Sequence, residues 1–68
     1  MTDTLELKAM ILKKGMTATT LADAIGLSYQ SLSYKINNKR EFKAIEIENI
    51  STVLGLTLEE KNNIFFGN

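Results

Sequence analysis

Between Thr17 and Leu32 the chain reads Thr17-Ala18-Thr19-Thr20-Leu21-Ala22-Asp23-Ala24-Ile25-Gly26-Leu27-Ser28-Tyr29-Gln30-Ser31-Leu32. No other stretch narrows the possible folds as much. Leu21 and Ile25 stand four apart, the spacing of one helix face, and Thr17 is placed to cap that helix. Gly26 ends it, and Ser28 caps a second helix two residues later. The small Ala22, the turn at Gly26-Leu27 and the apolar Leu32 allow two short helices to cross closely. That is the requirement of a helix-turn-helix.

The rest of the chain is punctuated in the same way. Gly15, Gly26, Gly55 and Gly67 each follow an apolar-periodic segment, there is no proline, and no run alternates with period two. The expectation is an all-α, compact five-helix domain occupying residues 1–68. A first helix over about Thr4 to Lys14 is capped by Asp3, with Glu6 completing a capping box. Its Leu7 and Ile11 face inward, and Lys8 and Lys13 face out. The second runs from Ala18 to Ile25 and the third from Tyr29 to Asn37. The polar loop Asn38-Lys39-Arg40-Glu41 ends on Phe42, a candidate core anchor. A fourth helix over Ala44 to Leu54 carries Ile47, Ile50 and Leu54 on one stripe but lacks a good cap. Thr57 and Glu60 form a capping box for a last helix through Ile64-Phe65-Phe66.

Composition removes whole classes of chemistry. The chain has no cysteine and no histidine. Thiol nucleophiles, disulfides, imidazole or thiolate metal sites and Ser-His-Asp catalysis are therefore excluded. Glu46 and Glu48 are two apart on a helix and do not share a face, and Glu59-Glu60 serves a helix start. Neither pair suggests an enzyme, and no cofactor or metal is expected. No apolar run reaches membrane-span length, and Met1-Thr2-Asp3 does not open like a signal peptide, so the expected location is the cytoplasm.

Net charge is zero, but its distribution is uneven. Residues 1–40 hold six basic and three acidic side chains, a balance of +3; residues 41–68 hold two basic and five acidic, a balance of −3. The basic half is the half with the two-helix pattern. A local positive face on a neutral molecule can still engage phosphate.

On the third helix Leu32 and Ile36 turn to the core. Gln30, Ser33, Tyr34 and Asn37 fall at i, i+3, i+4 and i+7, a continuous face of hydrogen-bonding groups with no acid to repel phosphate. This face is suited to base edges in the DNA major groove. A glutamine pairs bidentately with adenine, Tyr34 can reach a phosphate or a thymine methyl, and Ser33 allows close approach. Ser28, Tyr29 and Ser31 lie at the helix N-terminus, where backbone N–H groups favour phosphate. Tyr29 stands three residues before Leu32 and is expected to be half buried. Lys35, Lys39 and Arg40, with Asn38 between, are the expected backbone clamps after the reading face.

These residues carry a resemblance. Lys14-Gly15-Met16-Thr17, Leu21-Ala22, Ile25-Gly26-Leu27-Ser28, Leu32-Ser33, Asn37-Asn38-Lys39-Arg40 and Leu54-Gly55-Leu56-Thr57-Leu58 resemble the lambda-repressor-like, XRE-type helix-turn-helix family. Leu32 to Phe42 is particularly similar to small phage repressors of Gram-positive hosts. The resemblance spans Leu7 to Leu58. It implies a domain that binds double-stranded operator DNA as a homodimer, with the third helix in the major groove and the second crossing the backbone. Three positions depart from the family pattern. Ala18 stands where many members place a phosphate-contacting glutamine, leaving Thr17 or Thr19 to substitute. Ile11 and Ile36 replace a helix 1 arginine and a helix 3 glutamate, an apolar pair in place of a buried ion pair. Asn37-Asn38 stands for Asn-Gly, with Asn38 in the left-handed conformation.

Ile64-Phe65-Phe66 is a dense apolar segment for so small a core. Phe65 is expected inside, on the face of Leu58, with Ile64 or Phe66 available to a second copy. Ile45 and Val53 lie off the main stripe of the fourth helix and could join that patch. A two-fold dimer would match a palindromic operator. The alternative reading is a protein-interaction module on the same scaffold, an antirepressor or antitoxin-like adaptor. Zero net charge, Ala18 and the apolar C-terminal segment favour it.

Overall fold

The computed structural model describes residues 1–67. Its elements are α1 (Thr4–Lys13), α2 (Ala18–Ile25), α3 (Tyr29–Ile36), α4 (Ala44–Leu54) and α5 (Leu58–Phe65). All are helices, and no described residue lies in a strand. Among the described residues no helix is long and apolar enough to cross a membrane.

Each helix start has a local cause. Asp3 accepts the Glu6 N–H at 3.0 Å. Its own N–H goes instead to the Ile64 carbonyl at 2.7 Å, so the expected Asp3–Glu6 capping box is only half formed and α1 is tied to α5. Thr17 and Thr20 exchange both capping bonds, at 3.1 and 2.9 Å. Ser28 accepts the Ser31 N–H at 3.1 Å. Thr57 and Glu60 form the expected box, at 3.1 and 2.9 Å. The α4 start finds half a box from within the helix, the Glu46 carboxylate accepting the Lys43 N–H at 2.8 Å.

The first four helices end in one way. A residue with positive φ follows each, and the next N–H reaches back five residues: Met16 to Ile11, Leu27 to Ala22, Lys39 to Tyr34 and Leu56 to Ser51. This is the Schellman closure, and it favours glycine because a Cβ crowds the left-handed conformation. Gly26 takes φ +75° there. After α3 the residue is Asn38, at φ +62°. Its side chain explains the exception. Oδ1 accepts the Thr2 N–H at 2.9 Å, and Nδ2 donates to the Thr2 carbonyl at 2.8 Å and to the Thr4 hydroxyl at 3.2 Å. The Thr4 hydroxyl in turn donates to the Ile36 carbonyl at 2.6 Å. The segment before α1 is thereby stitched to the end of α3.

One core joins all five helices: Leu7, Met10, Ile11, Leu21, Ala22, Leu32, Ile36, Ile47, Ile50, Leu54, Ile64 and Phe65. Ile11 and Ile36 are both buried within it, as an apolar pair should be. Phe42 is partly buried and meets Phe65 edge to face, ring centroids 5.3 Å apart, so the loop after α3 is anchored as expected.

Two expectations for α5 fail. Ile64 is 1% exposed and belongs to the core, so it is not a dimer contact. Consecutive Ile64 and Phe65 both point inward because α5 packs against α1 and α4 together, which widens its buried face. Leu58, expected on the Phe65 side, is instead exposed at the other end of the helix. Phe66, Ile45 and Val53 remain exposed.

Candidate nucleic-acid interface

The charged residues within the fold are partly spent on the fold itself. Lys35 is 7% exposed. Its Nζ meets both Glu46 oxygens, at 2.7 and 2.6 Å. Burial alone would push the Glu46 carboxyl upward. The Lys35 hydrogen bonds and the Lys43 amide more than offset this, and hold it below the usual glutamate range. Lys35 is therefore no backbone clamp, contrary to the expectation from its sequence position. It sits three residues after Leu32, on the side of α3 that leans toward α4, and a carboxylate awaits it there. Lys61 likewise pairs with Glu48.

The outer side of α3 keeps its hydrogen-bonding groups. Gln30 is exposed, and Ser33 and Tyr34 are half buried. Tyr29 is 57% exposed rather than half sunk in the core, so it joins this face. Gln30 Nε2 donates to the Tyr34 hydroxyl at 3.0 Å. The Arg40 guanidinium lies over the Tyr34 ring, 5.5 Å from its centroid. This is a cation–π arrangement that holds both groups beside the helix.

Asn37 plays a narrower part than expected. It is the residue that closes α3, and its Nδ2 donates to the Ser33 carbonyl at 2.9 Å. Its Nδ2 also lies 3.4 Å from the Ser33 hydroxyl, which leaves its Oδ1 as the group for another partner. Asn38 is engaged with Thr2 and Thr4, which removes its amide from the expected phosphate contacts. Ser28 spends its acceptor on the α3 cap. Ser31 is half buried, and Thr19, Lys39 and Arg40 are exposed.

Tertiary packing adds what the third helix alone does not have. A groove of about 370 Å³ runs between α3 and the facing ends of α1 and α2. Tyr29, Ser33, Ile36 and Asn37 form one wall; Thr17, Ala18 and Met16, with Lys8, Ile11 and Leu12, form the other. The N-terminus of α2 thus stands beside the outer face of α3. Lys8 joins them, although it is remote in sequence and its position carried no more than an outward-facing signal. The clue was the positive balance of residues 1–40. Chemically the surface offers amide and hydroxyl groups beside Lys8 and Arg40, with the exposed Lys39 next to Arg40 in the chain. Helix α3 itself carries no carboxylate.

The fold and this face define a small five-helix, all-α domain whose exposed polar helix lies across two helix ends. Residues 1–68 match the family described as protein of unknown function, DUF739, and the chain belongs to that family. No curated protein matches it.

Proposed function

We propose that the protein is a sequence-specific, double-stranded DNA-binding regulator of transcription, a phage or mobile-element repressor of the lambda-repressor-like helix-turn-helix kind. In this reading α2 and α3 are the helix-turn-helix, and α3 lies in the major groove. The observation that carries it is the acid-free face of Tyr29, Gln30, Ser33 and Tyr34: Tyr29 and Ser33 line a groove with Lys8 and the N-terminus of α2, and Gln30 and Arg40 meet at Tyr34. Amide and hydroxyl groups read base edges, whereas cations and helix N-termini hold phosphates. In this reading Thr19, exposed at the α2 start, contacts the adjacent backbone, while the Thr17 hydroxyl is taken up by the α2 cap. A second copy related by a two-fold axis would present the same face to a palindromic site, with Phe66, Ile45 and Val53 as the exposed apolar residues from which such a contact would be built.

The test is selection of bound sequences from a random duplex pool. The expected product is a palindrome whose half-sites are centred about one helical turn apart. Retention of no duplex, even at low salt, would overturn the reading and favour a protein-interaction module.

A further inference from the structure

The outer face of α3 is not a row of independent side chains. Gln30 donates through Nε2 to the Tyr34 oxygen, so that amide has one N–H and its Oε1 left. The Tyr34 oxygen accepts that bond, so its own proton is directed elsewhere. Among the described residues it donates to no protein acceptor. Arg40 lies over the ring, and a cation at the ring face makes the phenol a better donor.

Resting on the DNA-binding reading above, we infer that Tyr34 is a specificity-determining residue that acts with Gln30 as one reading unit. The adenine edge in the major groove presents an acceptor at N7 and a donor at N6. The free N–H and Oε1 of Gln30 match that pair, and the bond to Tyr34 holds them in that order. The outward Tyr34 hydroxyl is a donor. Guanine, adenine and thymine each offer it an acceptor in the groove; cytosine offers only its N4 donor. Four helical residues span about 6 Å against a base-pair rise of about 3.4 Å, which puts the Tyr34 contact one or two base pairs from the Gln30 contact. The unit therefore selects adenine at one position and rejects cytosine on the contacted strand at a nearby one.

The experiment enriches bound sequences from a random duplex pool with four proteins: wild type, Tyr34→Phe, Gln30→Ala and the double variant. Thermal unfolding is recorded for each. Wild type should enrich adenine and deplete cytosine at the two positions, each by about tenfold. Tyr34→Phe keeps the ring and the Arg40 contact. It should melt like wild type and keep its salt dependence, yet lose the cytosine depletion and weaken the adenine preference several-fold. Gln30→Ala should abolish the adenine preference, and adding Tyr34→Phe should change nothing further at that position. Gln30 is exposed, so that variant keeps the question measurable should Tyr34→Phe melt early. Identical enrichment by wild type and Tyr34→Phe overturns the inference alone. So does guanine in place of adenine, which would mean a reversed amide. A wild type that selects no sequence overturns the DNA-binding reading as well.

Discussion

Lys35 Nζ lies 2.6 Å from Glu46 Oε2, and this ion pair fastens the outer helix α3 to the first turn of α4. The same carboxylate accepts the Lys43 N–H, so one side chain both starts α4 and neutralises the cation of α3. Removing one partner leaves the other desolvated and unpaired. Lys35→Met should therefore cost about 2–3 kcal/mol, near the lower end for a buried pair because both side chains retain 8–9% exposure. In a domain of this size that is most of the folding free energy. Lys35→Met with Glu46→Gln should recover much of the loss, because the glutamine oxygen can still accept from Lys43. Urea unfolding of wild type and the two variants checks both statements; a double variant no better than the single one would contradict them.

The pair also sets a pH dependence. The Glu46 carboxyl is held below its ordinary value by Lys35 and the Lys43 amide, against the opposing effect of burial. A depressed folded-state pKa means that the unfolded chain binds protons more readily. The stability from Glu46 is complete above the usual glutamate value, about 4.3. It is lost as pH falls through that value toward the lower folded one. Unfolding free energy measured from pH 7 downward should decline more in wild type than in Lys35→Met, Glu46→Gln.

Asn38 combines a left-handed backbone with three side-chain hydrogen bonds to Thr2 and Thr4. Asn38→Gly keeps the conformation and loses the bonds, for a cost of about 1 kcal/mol. Asn38→Ala loses the bonds and adds the strain of a Cβ at positive φ, for about 2 kcal/mol. Thermal unfolding should rank them wild type, glycine, alanine. An alanine variant as stable as the glycine one would show that the turn is not held in this conformation.

Ile64 and Phe66 should separate stability from self-association. Ile64→Ala opens a cavity in the core and should cost about 2–4 kcal/mol. Phe66→Ser alters a half-exposed side chain and should change stability by less than about 0.5 kcal/mol. If Phe66 contributes to a dimer, sedimentation equilibrium should show weaker association for Phe66→Ser at unchanged fold. Equal association in wild type and variant would exclude Phe66 from the contact.

On DNA, Lys8→Ala and Lys39→Ala should weaken binding to all sequences alike. Each should reduce the slope of log affinity against log salt by about one. Sequence preference should not change. A shift in preferred sequence would move the residue from backbone contact to base reading.

Local signals decided most of the architecture. The helices formed close to where cap, apolar period and left-handed closing residue coincided, because those interactions lie within one or two turns of chain. Thr17, Ser28 and Thr57 cap as their positions imply, and Gly26 and Asn38 adopt the positive φ that their residue types permit. The polar face of Gln30, Ser33 and Tyr34 follows from helical spacing alone.

Contacts between distant segments decided the rest. Lys35 and Lys39 carry the same charge in the same stretch, yet one is sealed against Glu46 while the other is exposed. Nothing local to α3 announces a carboxylate eleven residues away. Ile64 and Phe66 are both apolar and two residues apart, and only the packing of α5 against two helices at once buries the first and not the second. Asn38 is a phosphate-contact candidate by its sequence neighbours and a stitch to Thr2 by its place in space. The sequence by itself determined where helices start and stop, since those energies are short-range. Which polar groups remain free for a partner was decided by the tertiary structure, because every buried or bonded group must find its partner there first.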